Sequence, residues 1–236
     1  LLIGLSGGMD SVVLLDLCEK IIPSGKLLAI HINHGLTKES DNHEKFVYKI
    51  CIDKNIPLIL KAEKRTIKRN ESDEMWARKI RYNHYFQTLI EKNYDYVLTA
   101  HHANDNCETI IMNLDNGCSI NGLKGIPLIN GKVVRPLIGY KKIDIINYAQ
   151  SNKINYVDDV SNNDLSIKRN YVRKKVLTKL QKNYNYLEIG SYPFFKAGKL
   201  GVSIVLRSPE QKKIDKCNDE ILKFVKEKNI ELVEVG

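Results

Sequence analysis

The chain has 236 residues, 43% of them hydrophobic, with 37 Lys and Arg against 28 Asp and Glu, a formal net charge of +9. That length suits one ordinary domain, or one plus a small appendage, and the positive balance leans towards a polyanionic partner. Its five cysteines form no C-x-x-C pair and no apolar run is long enough for a membrane helix, which argues against a disulfide framework, a four-cysteine zinc site and a spanning segment.

Elements follow one another in a regular order. Leu1–Leu5 is a short apolar run of the kind a buried strand makes, and Ser11–Lys20 carries Val12, Val13, Leu14, Leu15 and Leu17 as a helix. Leu27–Ile32 reads as a second strand. Glu39–Asn55 has Phe46, Val47, Ile50 and Cys51 at helical spacing, and Pro57–Leu60 is a third strand. Asp73–Lys92 is a longer helix, Tyr96–Ala100 a fourth strand and Asn104–Leu114 a further helix. This alternation predicts an α/β fold, a parallel sheet with helices on both faces, with ligands beyond the carboxyl ends of the strands. Residues 116–139 are rich in Gly, Asn and Pro and read as loops, and Lys141–Asn152 as a helix. Ser166–Gln181 reads as a basic helix. Tyr192–Gly201 reads as a Pro and Gly loop, Val202–Arg207 as a strand, Pro209–Asn229 as a helix and Glu231–Val235 as a last strand. The expected division is 1–185 as the main domain and 186–236 as a small strand–helix–strand appendage. The chain opens inside an apolar run without an initiator Met, so the natural N-terminus is expected upstream, with room for a targeting peptide. Cysteine usage points to a reducing, cytoplasmic setting.

Ser6-Gly7-Gly8-Met9-Asp10-Ser11 joins the first strand to the first helix. Two glycines let the backbone turn tightly and approach an anion, and the helix start aims free N–H groups and a positive dipole end at it. Ser6 and Ser11 add hydroxyls. Asp10 would repel a phosphate directly, a conflict that a Mg²⁺ between them removes. The plain alternative is a strand–turn–helix capped by Asp10 or Ser11. No Gly-Lys-Ser/Thr follows, so this is not a Walker A loop. The stretch resembles the PP-loop of the N-type ATP pyrophosphatases, which implies cleavage of ATP between its α and β phosphates and transfer of AMP to the substrate.

Four further stretches narrow the resemblance. They are His31-Ile32-Asn33-His34-Gly35-Leu36; Ala77-Arg78-Lys79-Ile80-Arg81-Tyr82; Thr99 to Thr109, containing His101-His102-Ala103-Asn104-Asp105-Asn106-Cys107-Glu108; and Asp159 to Asp164 followed by Arg169-Asn170-Tyr171-Val172-Arg173. In this order they resemble the catalytic domain of the tRNA(Ile)-lysidine synthetases over residues 1–182. The resemblance implies ATP and Mg²⁺ as cofactors and tRNA(Ile) and free L-lysine as partners. The reaction it implies is adenylation of C2 of a wobble cytidine, followed by displacement of AMP by the lysine ε-amine. It leaves the oligomeric state open.

Site residues follow from both readings. The nucleotide would lie on Ser6, Gly7, Gly8, Asp10, Ser11 and His31, with Asp10 as the expected metal ligand. An amine nucleophile needs carboxylates to hold its cation and take up protons, and Asp105 and Glu108 stand three apart at a helix start where both can face one site. The resemblance assigns that pair to lysine; helix-dipole compensation is the alternative. The resemblance implies that His101 or His102 faces nucleotide or lysine, with His101 taken as catalytic. Arg78 and Arg81, and Arg169, Asn170 and Arg173 on the basic segment, are expected to meet phosphate or tRNA, a solvated charged face being the alternative for the first pair.

Two departures stand out. Asn104 occupies a position where the resemblance expects an aspartate, which would weaken Mg²⁺ binding or leave it to Asp10 alone. Asn106 replaces a common Gln. The tail, through Ile189–Phe195, Gly198 and Ser203–Arg207, bears a fainter resemblance to molybdopterin-binding, competence-damage-type domains. Another PP-loop tRNA-modifying or amide-forming enzyme and a non-catalytic nucleotide or RNA binder are the competing readings.

Overall fold

The computed structural model describes residues 1–23, 25–36, 39–63, 72–115, 124–157, 188–196 and 199–227. The chain divides into two compact units, Leu1–Asn104 with Pro127–Ser161, and Asp105–Ile126 with Asn162–Gly236.

The first unit is built on a six-stranded sheet. Its strands are β1 (Leu2–Gly4), β2 (Leu28–Asn33), β3 (Leu58–Ala62), β4 (Val97–Leu98), β5 (Ile129–Asn130) and β6 (Val133–Val134), in the spatial order β3-β2-β1-β4-β6-β5. All neighbours are parallel except the β5–β6 edge, which is antiparallel. The parallel α/β expectation therefore holds, with an added antiparallel edge inside the stretch read as loop.

Side chains alternate between two faces, as the strand period of two requires. Ile3, Leu5, Ala29 and Leu98 pack with α1 (Met9–Ile21), α2 (Ser40–Asp53) and α5 (Lys142–Ser151). Leu2, Leu28, Ile30, Ile32, Val97 and Val133 pack with Tyr85 and Leu89 of α3 (Asp73–Glu91). β1 is buried at every position because helices cover both its faces, which is why it reads as an unbroken apolar run. Helix α3 starts where Ser72 accepts the Met75 N–H at 3.2 Å, with Asp73 and Glu74 in the first turn to oppose the dipole.

Helices α1, α2 and α5 are pinned by one carboxylate. Asp16, with a side chain 12% exposed, takes Lys20 at 2.9 Å and Lys54 at 3.1 Å, and accepts the Tyr148 hydroxyl at 2.9 Å. Burial alone would raise its pKa, but the bonds from Lys20, Tyr148 and Lys54 together hold it below the usual carboxylate value. A depressed folded value means stabilisation that is fully present above the unfolded pKa of about 3.9 and is lost as pH falls through the folded value. Asp16→Asn is expected to cost about 1–3 kcal/mol at pH 7 by chemical denaturation, with the gap to the parent closing below about pH 4. A gap of the same size at pH 7 and at pH 3 would remove the ionic part of this account.

In the second unit the described elements are the part of α4 (Ala103–Asp115) from Asp105 onwards, a hairpin of β7 (Glu188–Lys196) and β8 (Lys199–Arg207), and α6 (Gln211–Glu227). The hairpin registers Glu188 on Arg207 and Lys196 on Lys199, so the stretch Tyr192–Gly201, expected to be a loop, lies largely in paired strands. Pro193 stands opposite Val202 on a two-stranded ribbon, where an outward-facing position needs no N–H. On α6, Ile214, Cys217 and Ile221 recur at helical spacing, and Cys217 is fully buried. The expected Ser166–Gln181 helix and Glu231–Val235 strand lie outside the described residues.

Candidate active site

The chain leaves β1 towards β2 on one side and later returns to place β4 on the other, so β1 and β4 flank a topological switch point. In open α/β sheets that is where ligands bind, beyond the strand ends. The Ser6–Ser11 loop follows β1, and Thr99–Asn104 follows β4 and enters α4 (Ala103–Asp115).

The loop turns through Gly7 at φ +91°, a region side chains disfavour, and a Cβ there would also press on Val47 Cγ2 at 3.3 Å. Gly8 then caps α1 in an extended conformation, and the first intrahelical bond runs from Val12 N–H to the Gly8 carbonyl at 3.1 Å. The N–H groups of Met9, Asp10 and Ser11 precede that bond and are the donors a helix start offers an anion. The two serines hold the turn. Ser11 Oγ donates to the Gly8 carbonyl at 2.9 Å and accepts the Ser6 N–H at 3.2 Å. With that proton committed, the Ser6 hydroxyl donates across the 3.0 Å Ser6–Ser11 pair, and Ser6 Oγ accepts the Gly8 N–H at 3.3 Å. Val157 N–H reaches the Gly7 carbonyl at 3.0 Å, tying the segment after α5 to the loop.

Asp10 sits at the centre. Its Oδ1 takes the Lys142 ammonium at 2.5 Å, and its Oδ2 lies 3.7 Å from His102 Nε2. Lys142 is the first residue of α5, and its N–H donates to Asn104 Oδ1 at 2.9 Å. The Asn104 side-chain oxygen thus anchors α5, a task an aspartate oxygen would perform equally. Among the described residues no group of three His, Cys, Asp or Glu could hold a metal. A magnesium carried in on phosphate oxygens needs only one or two protein carboxylates, and Asp10, 31% exposed at the loop, fits that demand.

Of the two adjacent histidines, the buried His102 is the one beside Asp10, whereas His101 Nδ1 lies 3.0 Å from Thr99 Oγ1. His31 is buried on β2 and its Nδ1–H donates to the Leu5 carbonyl at 2.8 Å, so this residue also bolts the end of β1 to β2. Burial lowers its pKa, which keeps the ring neutral with Nε2 as an acceptor that is unpartnered among the described residues. His34 is pushed down to about 4, by burial first and then by the positive charge of Arg81, and stands edge-on to Trp76 at 5.7 Å. Arg81 therefore lies by the end of β2, while the exposed Arg78 covers the Tyr82 ring at 5.0 Å. Asn33 closes the same strand end, donating to Asp41 and Glu44 at 3.0 Å each and accepting the Gly35 N–H at 2.9 Å.

Helix α4 carries Asp105, partly buried in its first turn, and Glu108, fully buried one turn on. Asn106 uses its Oδ1 to accept the Ile126 N–H at 2.6 Å. Arg169, Asn170 and Arg173 lie outside the described residues. Sequence reasoning did not find Lys142, which is 132 residues from its partner Asp10.

The family model described as a PP-loop domain matches residues 1–180, and a second, described as FAD synthase, middle domain, matches residues 174–234. A tRNA(Ile)-lysidine synthase of Haemophilus influenzae is 35% identical over 198 residues, covering 80% of this chain and 45% of the relative. The same-named enzyme of Legionella pneumophila is 35% identical over 182 residues, 75% of this chain and 41% of the relative. That of Buchnera aphidicola is 34% identical over 196 residues, 80% and 44%. The chain thus spans less than half the length of these relatives. Among solved structures, the U34-tRNA thiolase NcsA of Methanococcus maripaludis, with its [4Fe-4S] cluster, superposes with a TM-score of 0.61 at 22% identity, over 78% of this chain and 66% of that one, a likeness of fold.

Proposed function

The chain belongs to the PP-loop family, and from that premise we propose that it ligates free lysine to C2 of the wobble cytidine of a CAU-anticodon tRNA(Ile). ATP is split between its α and β phosphates. The C2 oxygen of the cytidine attacks the α phosphorus and pyrophosphate leaves. The lysine ε-amine then attacks C2, AMP departs with the oxygen, and the amine sheds its extra proton.

The observation that carries this reading is the convergence on Asp10 of the Lys142 ammonium from α5 and the His102 ring from the turn after β4, in a chain about 35% identical to proteins named tRNA(Ile)-lysidine synthase. The helix start and Ser6–Ser11 loop receive the phosphates, and Asp10 is the residue proposed to hold Mg²⁺, which supplies charge neutralisation on the phosphate oxygens. His31 Nε2 is proposed as an acceptor towards the nucleotide. Asp105 and Glu108 are proposed to hold the lysine cation and receive its proton, with His101 beside them in sequence. Arg78, Arg81, Arg169, Asn170 and Arg173 are proposed to meet tRNA phosphate, as the net charge of +9 favours. Residues 1–185 are proposed as the catalytic domain and 186–236 as a separate appendage, which the second family match supports in outline. No helix of the described residues is long and apolar enough to cross a membrane; a cytoplasmic site of action is part of the proposal.

The test is mass spectrometry of nucleosides from the CAU tRNA after incubation with the protein, ATP, Mg²⁺ and lysine. The expected product is a lysine adduct on cytidine that requires both ATP and lysine. Cleavage of ATP without any adduct would overturn the substrate assignment and favour another PP-loop reaction.

A further inference from the structure

A lysine at the first position of a helix is electrostatically misplaced. The N-terminus carries the positive end of the macrodipole, and a cation there is disfavoured. Yet Lys142 opens α5, following Lys141, and its ammonium is drawn across to Asp10. Its backbone has no freedom to retreat, because its N–H is held by Asn104 and the preceding Lys141 N–H by Asp144 Oδ2 at 2.8 Å. The four-carbon side chain therefore pivots from a fixed point beside the loop. The Lys142 side chain is 34% exposed, so its path from Asp10 is not closed off by packing on every side.

The charge balance at Asp10 changes when nucleotide enters. A lysine ammonium and a divalent cation cannot share one carboxylate oxygen without strong repulsion. A polyphosphate held on the start of α1 would then offer the displaced ammonium a new anionic partner. We propose that Lys142 is a nucleotide-site residue of this chain: its ammonium, paired with Asp10 in this structure, would transfer its charge to the polyphosphate, and then to the departing pyrophosphate, where Asp10 holds Mg²⁺. The electrostatic penalty at the start of α5 is offset by an anion in both states. Asn104 is the positioning residue, acting through the Lys142 backbone. This rests on the ATP-using part of the proposed function and is independent of the tRNA and of lysine.

The experiment compares Lys142→Met, which keeps length and removes charge, with Lys142→Arg, using calorimetric binding of inorganic pyrophosphate and of ATP with Mg²⁺ to the full chain. Folding of each variant is monitored by circular dichroism and melting temperature. Lys142→Met is expected to weaken pyrophosphate binding roughly tenfold or more, the usual effect of losing a charge-assisted bond, with Lys142→Arg restoring most of it. The Mg²⁺ concentration for half-saturating ATP binding is expected to fall in Lys142→Met, because the competitor for Asp10 is gone. A purely structural lysine would move neither quantity in this pattern. Unchanged pyrophosphate affinity in a folded Lys142→Met protein, or a rise in Mg²⁺ demand, overturns the proposal. Failure to form lysidine with these binding effects present overturns the tRNA reading alone, and a parent chain that binds neither ATP nor pyrophosphate overturns both.

Discussion

Replacing Asp10 with alanine is expected to reduce ATP-dependent pyrophosphate release by roughly 10²–10³-fold or more, the scale of losing one charge-stabilising group at a reacting phosphate. The fold is expected to survive. The Asp10 side chain is 31% exposed and its partner Lys142 is 34% exposed, and a pair of that exposure contributes on the order of 0–1 kcal/mol. The melting temperature should therefore shift by only a few degrees, while turnover collapses. Asp10→Asn keeps the shape and a hydrogen-bond acceptor but loses the charge, so it should resemble the alanine variant in turnover. Near-normal pyrophosphate release from a folded Asp10→Ala protein would remove Asp10 from the phosphate chemistry.

The largest stability effect is expected at Gly4→Ala. This glycine ends β1, and a Cβ there would lie 2.2 Å from Tyr85 Oη and 2.7 Å from Cζ. Tyr85 is 5% exposed and belongs to the core on the α3 face of the sheet, so the ring has little room to withdraw. The helix must shift or the strand must bow. Overpacking of a dense core costs about 1–3 kcal/mol and occasionally more, and this contact, deep in the van der Waals wall, belongs at the upper end. Denaturant unfolding of Gly4→Ala, alone and with Tyr85→Leu, tests it. The second change should recover part of the loss, since the two residues meet directly. Simple additivity of the two destabilisations would show that the clash is relieved elsewhere.

Much of the first unit was legible because its signals are local. Leu1–Leu5, then two glycines, then Val12–Leu17, already spell a buried strand, a tight turn and a helix, and β2, α2, β3, α3, β4 and α4 follow the same logic within a few residues. What escaped is shorter or non-local. β5 and β6 have two residues each around Gly131, too few for any periodicity to register, and Val133 and Val134 join the sheet only because β4 lies alongside. In the tail, Pro193 and Gly201 suggested a loop, but the pairing of β7 with β8 decides the matter, and pairing is invisible along one strand.

The site divides the same way. The Ser6–Ser11 loop announces itself, since Ser-Gly-Gly-x-Asp-Ser directly after an apolar strand is a more specific pattern than an ordinary capped turn. The role of Asn104 does not. As a residue type it signals a lost charge, whereas in space its oxygen receives the Lys142 N–H. Lys142 sits in an ordinary charged helix start, and nothing near it in sequence names Asp10 as its partner. Likewise, sequence reasoning takes His101 as the catalytic member of the histidine pair, whereas the turn out of β4 presents His102 to Asp10 and His101 to Thr99.

The bond from Val157 to Gly7 bears on where this unit can be cut. Every strand of the sheet and the whole of α5 are complete by Ser151, so a proteolytic or engineered trim at that point would look harmless on a topology diagram. It would also release the strap that fixes the Gly7 carbonyl. A piece that keeps the bond to the Gly7 carbonyl therefore has to run on to Val157, six residues past Ser151.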